Sequence, residues 1–162
     1  MIYATRFALA AAFAAVALPA SASEADFLKR FHGSFAGGGQ VRLDDGGESR
    51  AILCKVSGTA TATTVNLNGT CSAGMMSKNI SASLRATKNG RYAGTFNGVN
   101  GSASLSGRRS GNSIVLAVRG NKPATMTISN SGKGIALSVV SNKQQMTQVS
   151  LSRGANTARA SF

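Results

Sequence analysis

From residue 33 onward, apolar and polar positions alternate along the chain. The clearest case is "NISASLRAT" (79–87), where Ile80, Ala82, Leu84 and Ala86 share one face and Ser81, Ser83, Arg85 and Thr87 the other. A period of two predicts strands with one wetted face. The same pattern recurs over 33–43, 50–58, 63–71, 91–97, 102–107, 113–119, 124–130, 135–141 and 145–153. Between these segments lie turn clusters, among them "DDGGES", "KNGR", "GVNG", "RRSGN", "GNKP" and "SGKG". Asn89-Gly90 is the strongest hairpin signal, because both residues tolerate positive φ. Only "SEADFLKRF" (23–31) has helical spacing, with Phe27, Leu28 and Phe31 on one stripe and Glu24 and Asp26 in the first turn.

Links of two to six residues favour antiparallel neighbours. So many consecutive hairpins predict an all-β fold, a single antiparallel up-and-down β-barrel of about 8–10 strands with a short N-terminal helical turn. A two-sheet sandwich is the rival architecture, but it needs a long crossing connection that the sequence lacks. An eight-strand barrel is readily filled by side chains, whereas ten strands leave room for a cavity.

The N-terminus sets the compartment. Arg6, the apolar run "FALAAAFAAVAL" (7–18), Pro19 and Ala20-Ser21-Ala22 compose a signal peptide over 1–22. The run is too short for a membrane-spanning helix, which needs about 20 apolar residues. The leader predicts a periplasmic or secreted bacterial protein, with the barrel domain over 23–153 and a flexible tail over 154–162. The two cysteines, Cys54 and Cys71, then read as one disulfide. If the hairpin between 50–58 and 63–71 turns near Ala62-Thr63, they face each other across it.

The stretch "HGSFAGGGQVRL" (32–43) holds the only histidine and the longest glycine run. A phosphate loop needs Lys-Ser or Lys-Thr after the glycines and then a helix; here the glycines run into an alternating strand. They fit a sharply bent wall instead. "GSFAGG" (33–38) and "GRYAGT" (90–95) share the pattern G-x-[FY]-A-G, which reads as two aromatic strand starts with glycine bends. His32 has no partners for a nucleophilic triad or a zinc site. Asp44, Asp45 and Glu48 crowd one turn, so they cannot flank a glycoside. The expectation is a non-catalytic protein with no cofactor and no metal. Phe162 ends the chain as in many outer-membrane barrels, but the outer faces of the strands are polar, so an integral membrane protein is not expected.

A short helical turn followed by Gly33-Ser34-Phe35 opening the first strand resembles the G-x-W motif of lipocalin-like (calycin-type) barrels. Phe35 stands where that family has tryptophan. The resemblance implies that a basic residue near the end of the last strand, here Arg153, packs over Phe35. The chain as a whole also resembles small exported proteins of alphaproteobacteria.

Charge changes the picture last. The chain carries a net charge of +13, and from Ser49 to Phe162 it has fourteen Lys and Arg and no acid. Such a surface attracts anions. In an up-and-down barrel, the turns near 60, 89, 110 and 132 share one end. That end would gather Lys88, Arg91, Arg108, Arg109 and Lys133 into an acid-free rim, with the paired arginines suited to gripping carboxylate or phosphate. The expected partner is an anionic envelope lipid or polysaccharide, with a small apolar ligand inside the barrel. Nucleic acid is not expected, because no aromatics stand among the basic turns. The alternative function is a periplasmic protease or lysozyme inhibitor of the small disulfide-bonded barrel type.

Overall fold

A computed structural model describes residues 22–154. The expected leader and tail fall almost wholly outside the described residues; of the tail only Gly154 is described, and its N–H donates to Ser34 O at 3.1 Å. A helix, α1 (Ala22–Lys29), leads into ten strands: β1 (Gly33–Val41), β2 (Arg50–Ala60), β3 (Thr64–Ala73), β4 (Met76–Ala86), β5 (Arg91–Gly98), β6 (Gly101–Ser110), β7 (Ser113–Arg119), β8 (Ala124–Asn130), β9 (Gly134–Ser141) and β10 (Gln144–Arg153). Each strand pairs antiparallel with the next, and β1 pairs with β10, so the sheet closes on itself. No helix among the described residues is long and apolar enough to cross a membrane.

All ten expected strands are present, and several run longer than the alternation alone predicts, β4 and β6 furthest. β4 starts at Met76, because its ladder with β3 continues to a tight turn at Gly74-Met75 (Ala73 opposite Met76). β6 continues through Arg108 and Arg109, which therefore belong to the wall rather than to a turn. The Asn89-Gly90 turn has φ of 64° and 63°. Cys54 and Cys71 are direct cross-strand partners and form a disulfide.

The glycine run belongs to the seam that closes the barrel. Gly37 and Gly39 face the interior opposite Leu151 and Val149 of β10. A Cβ on Gly39 would lie 1.9 Å from the carbonyl oxygen of Gln148, and one on Gly37 would lie 2.1 Å from that of Ser150. The backbones approach too closely there for any side chain, and the wall coils sharply as a result.

The interior divides into two halves. At the end where β1 begins, α1 packs over the opening. Phe27, Leu28 and Phe31 are at most 1% exposed, and burial of each contributes about 1.5–3 kcal/mol. Phe27 and Phe31 meet edge to face, with centroids 5.4 Å apart. Beneath them lie Phe35, Tyr92, Leu105, Ile114 and Leu116, all buried. Among the described residues, no such plug covers the other end.

Gly39→Ala is expected to force the β1–β10 seam apart and destabilise the protein by about 3 kcal/mol or more, read as a fall in denaturation midpoint. Ser150→Ala, on the outer face of the same seam, should leave the midpoint within about 0.5 kcal/mol of wild type.

Candidate functional site

The five expected rim cations all lie toward the closed end, but they do not form one cluster. Arg109 faces inward on β6. Its Nη1 donates to Glu24 Oε2 at 2.8 Å, and its guanidinium lies 4.2 Å from the Phe27 ring centroid. The Tyr92 hydroxyl donates to Glu24 Oε1. The expectation of an acid-free end is therefore corrected: α1 folds back and brings Glu24 into the ring of turns. Arg91 and Arg108 are cross-strand partners and both exposed, so they occupy the outer wall. Like charges opposed in this way repel. Lys88 is exposed on the β4–β5 turn, and Lys133 is exposed on the β8–β9 turn, with β7 and β8 between it and β6.

Arg153 ties the closed end together. Its guanidinium lies 4.9 Å from the centroid of the Phe35 ring. Its Nη1 donates to His32 O at 2.6 Å, Nη2 to Arg30 O, and Nε to Gly132 O at 3.2 Å. Arg30 and His32 directly follow α1, where unsatisfied carbonyls favour a cation. One side chain on the last strand thus holds the helix end, the first strand's aromatic and the β8–β9 turn. Asn130, fully buried, assists: its Nδ2 donates to Arg30 O at 2.8 Å and its Oδ1 accepts Gly132 N–H at 2.8 Å. His32 is exposed. Gly33, with φ of 124°, sits at the bend between helix and strand.

The open half holds a cavity of about 240 Å³. Its walls are almost wholly apolar, with Ile80, Phe96, Met126, Leu137 and Val149 among them, and both disulfide cysteines line it as well. Asn100, Asn121 and Lys122, all on turns of the open end, also line it and mark its mouth. None of the plug residues Phe27, Leu28, Phe31, Phe35 or Tyr92 lines it. Met75 and Val99 are exposed on turns of the same end.

Two basic residues line the cavity, Arg42 and Lys122. Lys122 Nζ lies 3.8 Å from Asp45 Oδ2. Arg42 directly follows β1, and its backbone N–H donates to Met146 O at 2.6 Å. Its Nε is buried without a hydrogen-bond partner. Sequence reasoning placed Arg42 as one residue of the first strand; the available signal was a cation beside Val41 and Leu43 at the end of a glycine-rich strand. Among the described residues, no group of three or more His, Cys, Asp or Glu is arranged to hold a metal ion.

No protein-family model and no curated protein sequence matches the chain. Among solved structures, it is similar to Rv2717c from M. tuberculosis, with a TM-score of 0.59 and 15% sequence identity over 84% of this chain and 98% of that one. At that identity the likeness concerns the fold and carries no function with it.

Arg153→Ala removes three hydrogen bonds and the contact with Phe35. It is expected to cost about 2–4 kcal/mol and to speed amide exchange in α1 ahead of the strands. Arg153→Lys should recover only part of the loss, because an ammonium cannot present the fork of donors.

Proposed function

We propose that this protein is an exported, non-catalytic binding module that holds a small apolar or amphipathic molecule inside its barrel. The observation that carries this reading is the cavity: apolar walls, one end sealed by α1 and the other open. Ligand sites are typically concave, mostly apolar and largely preformed, with a few polar groups at defined places. Asn100, Asn121, Lys122 and Arg42 supply such groups at the mouth. The volume lies just below the about 300–1,000 Å³ usual for sites that bury drug-sized ligands, which favours a slender ligand over a polycyclic one. The Cys54–Cys71 disulfide supports export, since such bonds persist in oxidising compartments.

Lys88, Arg91 and Arg108 add a second element. None makes an ion pair among the described residues. They give the closed end and its outer wall a positive field toward an anionic component of the cell envelope. That contact would hold the barrel near its source of ligand while the mouth stays clear.

A neutral fluorescent probe such as N-phenylnaphthylamine should bind the wild-type protein, with emission enhanced as it leaves water. Ala82 faces the cavity between Leu67 and Phe96. Ala82→Trp should fill that space and weaken the probe about tenfold or more, with circular dichroism unchanged; Ala82→Met, a smaller insertion, should give a graded loss. Undiminished probe binding in a folded Ala82→Trp protein would place the ligand elsewhere.

The double variant Arg91→Ser/Arg108→Ser should be retained several-fold more weakly on anionic vesicles, and added salt should reduce retention of the wild type in the same way. Equal retention of the two proteins would remove the outer-wall contact.

A further inference from the structure

We infer that the protein docks on an anionic lipid surface through one side of its open end, with the β3–β4 hairpin as the inserting element. This contact is separate from whatever the barrel holds. Five large apolar side chains are exposed among the described residues, and four of them stand at the open end on neighbouring elements. Met75 is fully exposed at the tip of the β3–β4 turn; Met76 beside it is 57% exposed, and Val99, on the β5–β6 turn, 44%. Leu53, 65% exposed on the outer face of β2, pairs with Ser72 just below that tip. Single exposed apolar residues are ordinary, but a gathered set marks a surface that binds.

The hairpin is built to project. The β3–β4 ladder runs out to Ala73–Met76, whereas β4 and β5 pair no further than Ser81–Asn97. Residues 76–80 of β4 therefore have no partner in β5, and the tip stands beyond the level at which β5 turns. The Cys54–Cys71 disulfide ties β3 to β2 at the base, so the tip is carried on a braced arm. An unpaired edge invites a strand from another chain, but Lys78 in the middle of this one opposes such pairing.

Charge selects the partner. Lys55 is the next outward residue after Leu53 on β2, and Lys78 is the cross-strand partner of Cys71. Both are exposed, and neither makes an ion pair among the described residues. No acid lies on β2 to β6. The acids of the open end, Asp44, Asp45 and Glu48, all belong to the loop between β1 and β2. Asp45 draws that loop the other way, toward Lys122 Nζ at 3.8 Å and Asn142 Nδ2 at 3.2 Å. Apolar tips framed by cations match a bilayer interface: the tips enter the acyl boundary while the ammonium groups stay among anionic headgroups. A second copy would instead set like charge against like, at +13 per chain. The hairpin and the β5–β6 turn occupy one side of the mouth, so docking brings the opening beside the lipid without stopping it.

The chain has no tryptophan, so a single one introduced at the tip is a clean reporter. In Met75→Trp, emission should shift to the blue when vesicles of phosphatidylcholine mixed with phosphatidylglycerol are added, and brominated acyl chains should quench it. Ala136→Trp, exposed on β9 across the barrel, should show neither effect. Met75→Ser/Met76→Ser/Val99→Ser, with its melting temperature unchanged, should partition onto these vesicles about tenfold or more weakly. Lys55→Ser/Lys78→Ser should bind them several-fold more weakly, yet match wild type on phosphatidylcholine alone. If the triple variant melts lower, the Met75→Trp reporter decides by itself. Vesicles that retain the Met75→Trp protein without shifting or quenching its emission, undiminished partitioning of a folded triple variant, or an equal shift with a soluble acidic polysaccharide would each overturn the inference. So would a shift that grows with protein concentration alone, since a second copy would then cover the tip. Wild type that binds neither kind of vesicle would remove it too. None of these outcomes bears on the cavity.

Discussion

The structure depends on the pairing of its first strand with its last. A ten-strand meander left open would expose two edges of unpaired backbone N–H and C=O groups, and such edges invite association. Here β1 and β10 satisfy each other from Phe35–Arg153 to Val41–Thr147. The pairing demands a backbone approach that no side chain permits at Gly37 and Gly39. It also brings Arg153 over Phe35 and within reach of the carbonyls that end α1. Closing the wall and docking the helix are thus one event: the residue that ends the last strand is also the one that fixes the plug.

That coupling explains why the two halves of the barrel differ. The polar groups at the sealed half are answered: Glu24 by Arg109 and Tyr92, Asn130 by Arg30 and Gly132, Arg153 by the helix end. Most of the buried aromatic mass is there too. The open half is largely aliphatic and hollow, and the Nε of Arg42 at its edge has no partner among the described residues.

Most of the architecture was legible in the sequence because strand alternation and turn chemistry are local. The Asn89-Gly90 turn, the opposed cysteines and the placement of successive turns at alternate ends needed no long-range information. The position of Arg153 over Phe35 followed from resemblance, since no local pattern links residues so far apart in sequence. What stayed hidden depends on where α1 comes to rest. Its stripe of Phe27, Leu28 and Phe31 shows that it must pack, but not on which opening. Once it seals the end that carries Arg109, the acid it brings occupies the cation that looked most suited to an outside anion. Arg42 was hidden for a related reason: strand alternation assigns a face but does not show which arginine will lack a partner.

The sealed floor has a consequence for traffic. A tube open at both ends can pass its contents along, and direction can be imposed by what lies at either side. This barrel is a dead end, because α1 fills one opening with three side chains that are almost wholly out of solvent. If the barrel binds as proposed, loading and release use the same doorway, in opposite senses, and never together. On that reading the molecule is a vessel and not a conduit, and whatever empties it acts at the lip through which it was filled.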